Sequence, residues 1–106
     1  MGRYLTTTGT ARVTDRFVST TYSAVANDRI YCIAGGFTIT LPASPIDGDV
    51  IQIIDVTSIF ASSNVTVARN GQLINSSATN LTLDVAGAAV TLVFSGATYG
   101  WIITGS

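Results

Sequence analysis

Asp47 and Asp49, two carboxylates flanking Gly48, are the closest this sequence comes to a chemical pair. Two carboxylates facing one cleft could divide acid and base work on a glycosidic bond, or begin an oxygen cage for calcium. Neither possibility is completed nearby. Calcium wants more oxygen ligands than the neighbourhood offers, and Pro45-Ile46-Asp47-Gly48 has the composition of a turn, in which short carboxylates bond adjacent backbone amides. The other carboxylates, Asp15, Asp28, Asp55 and Asp84, are scattered along the chain. Histidine is absent, and with it the commonest general base and transition-metal ligand. A serine or cysteine nucleophile would lack its ordinary activator. Cys32 is the only cysteine, so an intrachain disulfide and a thiolate cluster are both excluded, and the residue reads as a small buried hydrophobe. Gly35-Gly36 lacks the spacing of a phosphate-cradling loop and reads as a hairpin turn. Catalytic, cofactor-binding and metal-ligating residues are therefore all expected to be none, and the protein is expected not to be an enzyme.

Binding chemistry has one further source. Tyr22, Tyr31, Tyr99 and Trp101 could form a stacking platform for a sugar, although packing in the core or a subunit interface explains the same residues. Asn64-Val65-Thr66, Asn75-Ser76-Ser77 and Asn80-Leu81-Thr82 fit the glycosylation pattern. The N-terminus has no apolar signal core, so they are expected to be turns and strand ends in a chain made and assembled in a cytosol.

These groups must be positioned by strands. Phe37, Ile39 and Leu41 alternate with Thr38 and Thr40, the period-two signature of a half-buried strand that Pro42 ends. Phe17 to Ser23 and Arg29 to Ile33 are candidates ahead of it. Val50 to Val56, VIQIIDV, is apolar on both faces apart from Gln52 and Asp55, which predicts a central strand covered on each side. Val65 to Ala68 and Gln72 to Ile74 flank Asn70-Gly71, predicting a tight hairpin because a type I′ turn needs two positive φ angles. Leu81-Leu83-Val85, Val90-Leu92-Phe94 and Trp101-Ile103 supply a closing meander. Only Ser58 to Ser63 could hold a turn of helix. The fold class is all-β, a compact antiparallel β-sandwich or small barrel of about eight short strands. Residues 1–16, polar and without a period, form an extended N-terminal arm, and residues 17–106 form a single β domain. Phe37, Ile39, Leu41, Ile53, Leu83, Leu92 and Trp101 are expected in the core or an interface.

The composition says what surrounds such a body. The chain is 47% hydrophobic and 10% charged, with neither lysine nor glutamate, against about a quarter charged in ordinary domains. A formal charge of −1 offers no cationic patch for nucleic acid or an anionic membrane, so neither is expected as a partner. A surface so poor in charge is expected to be buried against other copies or a larger assembly. A Ser- and Thr-rich solvent face is the competing explanation.

FTITLPASPIDGDVIQIID followed by NVTVARNGQLINSSATNLTLDVAGAAVTLVFSGATYGW resembles a β module of tail fibres, decoration proteins and small virion proteins of tailed bacteriophages, over about residues 28–103. The landmarks are Leu41-Pro42, Pro45, Gly48-Asp49, Asp55, Ala68-Arg69-Asn70-Gly71, Ile74, Leu81-Thr82-Leu83, Ala89-Val90-Thr91-Leu92 and Trp101, and the opening MGRYLTTTGTAR is similar to starts of cyanophage structural proteins. The resemblance implies a homotrimeric, non-enzymatic virion protein without catalytic residues. In fibres such a module is a segment of a much longer chain, whereas here it follows a short arm. That favours a capsid, neck or tail decoration (cement) role, or a fibre-associated one, over a shaft. Arg3, Tyr4, Leu5, Arg12 and Arg16 are the expected residues by which the arm docks onto a larger virion protein, since a guanidinium can pair carboxylates and carbonyls while its stem packs on apolar surface. The alternative expectation is a receptor-binding module that recognises host surface glycans.

Overall fold

The computed structural model describes residues 13–105. Among them run nine strands and no helix: β1 (Thr14–Val18), β2 (Tyr22–Ser23), β3 (Asp28–Cys32), β4 (Thr38–Thr40), β5 (Val50–Asp55), β6 (Val65–Ala68), β7 (Leu81–Leu83), β8 (Ala89–Phe94) and β9 (Trp101–Gly105). They form a five-stranded sheet, β1-β3-β5-β8-β9, and a four-stranded sheet, β2-β4-β6-β7.

As far as β6 the chain alternates between the sheets, and every pairing is parallel: β1 with β3, β3 with β5, β2 with β4, and β4 with β6. The backbone therefore winds as a flattened coil of three turns, β1–β2, β3–β4 and β5–β6, each laying one strand on each sheet. Antiparallel β7, β8 and β9 then close it. The sheets are mixed, which corrects the antiparallel arrangement expected from sequence. Alternation of apolar and polar residues marks one buried face in either kind of pairing. Parallel neighbours ordinarily need a crossover of a dozen or more residues, often helical. Here the crossover is a strand of the opposite sheet, so short connections that read as hairpins are instead the corners of a coil.

The Asn70-Gly71 hairpin is corrected for a related reason. The turn forms, with φ of 52° at Asn70 and 91° at Gly71, and the Gln72 amide bonds the Arg69 carbonyl at 3.2 Å. The chain does not pair back on β6, because both edges of β6 are already taken by β4 and β7. Asn70 Nδ2 donates instead to the Leu41 carbonyl at 3.0 Å, tying the turn to the strand end below it. Residues 72–74 make only isolated bridges, Ile74 with Ser77 and with Trp101. Gly35-Gly36 is likewise a corner between sheets. The Gly36 amide donates to the carbonyls of Ser63 and Asn64, and a Cβ on Gly35 would overlap the Ser63 carbonyl oxygen. Residues 58–63 hold a turn on the Ile59 carbonyl and no helix.

The core lies between the sheets. Ile30, Cys32, Ile51, Ile53, Leu92 and Trp101 project from one side and Ile39, Leu41, Val65, Val67 and Leu83 from the other, all buried. Phe60, from the connection after β5, is fully buried with them. VIQIIDV is covered on one face only: Ile51, Ile53 and Asp55 point inward, while Val50, Gln52 and Ile54 are half-buried on the outside. The β body begins earlier than residue 17, since Thr14, Asp15 and Arg16 pair with Asp28, Arg29 and Ile30.

Candidate functional site

The carboxylates are bound up in the fold. Asp55 is 4% exposed and accepts the amides of Ile59 at 3.1 Å, Phe60 at 3.0 Å and Gly87 at 2.9 Å. Burial alone would raise its carboxyl. The amides of Phe60, Gly87, Ile59 and Thr57 outweigh burial and hold it below the usual carboxylate range. Asp28, also buried, accepts the Tyr22 hydroxyl at 2.7 Å and the Val25 amide at 2.8 Å. Asp49 closes its turn by accepting the Ile46 amide at 2.9 Å, and Asp47 beside it is exposed. Among the described residues, no three histidine, cysteine or acidic side chains converge as metal ligands. The Cys32 thiol is pushed up to about 12 by burial and by the nearby Asp55 charge.

The aromatics are dispersed and make no joint platform. Trp101 is fully buried, its ring 5.3 Å from that of Phe94, and its Nε1 has no hydrogen-bond partner. Tyr22 sits on the four-stranded sheet with its hydroxyl on Asp28. Tyr31 lies on the far side of the other sheet, and Tyr99 is exposed in the turn before β9. Phe37, one of the expected core residues, is half-buried against the cluster, and Ile39, Leu41, Ile53, Leu83, Leu92 and Trp101 are within it. Arg3, Tyr4, Leu5 and Arg12 lie outside the described residues. Arg16 is exposed on β1.

What the strands do bring together is two unlike outer faces. On the five-stranded sheet the register lays residues in rows. Phe17, Tyr31, Ile54 and Ala89 make one row. Ile33 and Val56, one step beyond β3 and β5, extend it and are about half exposed. The next row, Asp15, Arg29, Gln52 and Thr91, is polar and satisfied within itself: Arg29 Nε donates to Asp15 Oδ1 at 2.8 Å, and Gln52 Nε2 to Thr91 Oγ1 at 3.4 Å. Val50, Val93 and Ile102 form a last apolar row. The outer face of the four-stranded sheet carries hydroxyls: Ser23 beside Thr40, and Thr38, Thr66 and Thr82 in line. Sequence reasoning missed the apolar face, although the two-sided hydrophobicity of VIQIIDV was its signal.

A second apolar feature is a cleft of about 430 Å³ at the closing end, between β7 and β8–β9, lined by Leu81, Leu83, Val85, Ala88, Val90 and Ile103. Comparison with protein-family models finds no match to this chain, and comparison with curated proteins finds none either.

Proposed function

We infer that the protein is a non-enzymatic structural component of a bacteriophage particle, a small capsid, neck or tail decoration (cement) unit or a fibre-associated one, which assembles as a homotrimer and docks on a larger virion protein. The observation that carries this reading is the contrast between the two outer faces. One sheet shows water a field of hydroxyls, while the other presents Phe17, Tyr31, Ile54 and Val56 with no covering layer among the described residues. A lone soluble domain has no use for such a face, and an assembly does. The sequence resemblance to virion β modules supplies the setting. The carboxylates support the non-enzymatic part, since the buried ones accept bonds from amides and a tyrosine rather than facing a cleft.

The glycan-binding alternative has less behind it, because its four aromatics are split between the core, two sheets and a turn. The test is to purify phage particles from a host carrying the intact gene or a disrupted one and to compare them by quantitative mass spectrometry and cryo-EM. The protein should be a stoichiometric constituent that leaves density on the particle surface when present. Its absence from washed particles would overturn the virion assignment.

A further inference from the structure

We propose that the chain's own N-terminal segment, Arg3-Tyr4-Leu5-Thr6-Thr7, docks along the free edge of β7 as a fifth strand of that sheet, with Leu5 in the apolar cleft and Arg3 at Asp84. The inference stands apart from the virion reading, since it concerns how one chain closes its own sandwich.

The body is one strand short at this place. Five strands lie over four, and the cleft of about 430 Å³ opens where the shortfall falls, between β7 and β8–β9. β9 is already flanked: the Trp101 amide donates to the Leu73 carbonyl at 2.7 Å, and the Ile103 amide to Asn75 Oδ1 at 3.1 Å. β7 pairs with β6 alone, so its other edge offers backbone groups to an incoming strand. Beneath that edge the core comes nearest to water. Val90, at 8%, is the most exposed member of the buried cluster, and it shares the cleft wall with Leu83. An extended segment answers both features, through main-chain bonds to β7 and alternate side chains in the cleft.

Reach selects the segment. Thr14 stands in one row with Asp28, Ile51, Leu92 and Ile103, so the chain enters β1 level with one wall of the cleft and four strands away from it. That is about 19 Å across the sheet, with about 10 Å more to the level of the other sheet. Leu5 precedes Thr14 by nine residues, or about 30 Å of extended chain, and is the first large apolar residue back along the segment that can arrive. A tethered segment also meets the cleft at an effective concentration on the order of millimolar, which a separate strand of equal affinity would have to match.

Pattern and charge agree with that placement. Coming from the Ile103 side and ending at Asp84, the segment runs antiparallel to β7. Leu5 opposite Leu83 then sets Thr6 opposite Thr82, where it continues the outer row of Thr38, Thr66 and Thr82. Arg3 shares the inward side with Leu5 and meets Asp84, a wall residue of the cleft that makes no ion pair among the described residues.

The test is methyl NMR of the full, unmodified chain. Leu5 methyls should show nuclear Overhauser contacts with those of Leu83 and Val90, and a mixture of labelled and unlabelled copies should show that both partners belong to one molecule. Timed trypsin digestion is a second readout, because cleavage after Arg3 follows the population in which the segment is released. Leu5→Asp should speed that cut at least about tenfold, and Asp84→Asn about two- to fivefold. Ile46→Asp, at an exposed position outside the cleft, should leave it unchanged, with circular dichroism confirming that each variant is folded. Missing contacts to Leu83 and Val90, or an Arg3 cut as fast in the unmodified chain as in Leu5→Asp, overturns the proposal. Contacts found only between different molecules overturn it as well, because the strand would then come from a neighbouring copy.

Discussion

The Gly87 amide donates to Asp55 Oδ2 at 2.9 Å, a bond that ties the end of β5 to the turn ahead of β8. The same carboxylate accepts from Ile59 and Phe60, so one side chain folds the connection after β5, seats Phe60 in the core and fixes the return into β8. Asp55→Asn exchanges a charged acceptor for an amide whose NH2 cannot accept, and leaves at least one buried donor unpaired. The expected loss is about 2–4 kcal/mol in urea unfolding at neutral pH. A variant as stable as the parent would show that the three amides find other partners.

Acid should expose the same bond. The folded Asp55 carboxyl sits below the usual range, because the amides of Phe60, Gly87, Ile59 and Thr57 outweigh the effect of burial. Its contribution to stability is complete above the unfolded value of about 3.9 and disappears as pH falls through the folded value. The urea midpoint should therefore change little between about pH 7 and 5 and decline below about 4. Asp55→Asn should lack that share of the decline, and superimposable acid limbs for the two proteins would contradict the assignment.

Gly35 tests the coil itself. Its absent Cβ lets residues 33–37 lie directly on the Ser63 backbone, where the Gly36 amide bonds two carbonyls. Gly35→Ala must push two backbone layers apart and should cost about 1–3 kcal/mol. Gly36→Ala meets open space but a φ of 78°, and should cost about 1–2 kcal/mol through backbone strain alone. Only Gly35→Ala should also weaken amide-exchange protection at Gly36, where a bond to Ser63 is stretched.

The strands of this fold were largely legible in the sequence, and their pairing was not. Thr38-Ile39-Thr40 and VIQIIDV announce strands because alternation and branched side chains are local properties. Whether a neighbour runs parallel depends on where the chain goes next, and a corner such as Gly35-Gly36 has the composition of a hairpin. Asn70-Gly71 reported its own φ angles and nothing about β6, whose edges are filled by β4 and by a strand more than ten residues further on. The candidate face was hidden for the same reason. Phe17, Tyr31, Ile54 and Ala89 come from four separated segments, and only the register makes them a row.

Trp101 separates volume from polarity in the core. The ring is fully buried beside Phe94, and its Nε1–H has no acceptor. Trp101→Ala leaves a large cavity and should cost about 3–5 kcal/mol. Trp101→Phe also leaves a cavity, but it removes an unsatisfied donor worth about 1–3 kcal/mol. Its net loss should therefore be less than half that of alanine. Equal losses for the two variants, from urea midpoints at constant slope, would mean the indole N–H finds a partner in solution.

Cys32 gives the most direct report on whether the two sheets stay closed. Its side chain is fully buried between them, and burial together with the Asp55 charge pushes the thiol up to about 12 from an ordinary 9.0. A thiol reagent attacks the thiolate, so labelling of the native protein at pH 8 should be slow and should follow the rate of opening rather than reagent concentration once reagent is in excess. The raised value also fixes the sign at high pH. Stability from keeping the thiol neutral is complete below 9.0 and is lost as pH rises toward about 12. Cys32→Ala should remove this part of the alkaline decline at the cost of a small cavity. Fast labelling that scales with reagent concentration would place the thiol in solvent and contradict the closed core.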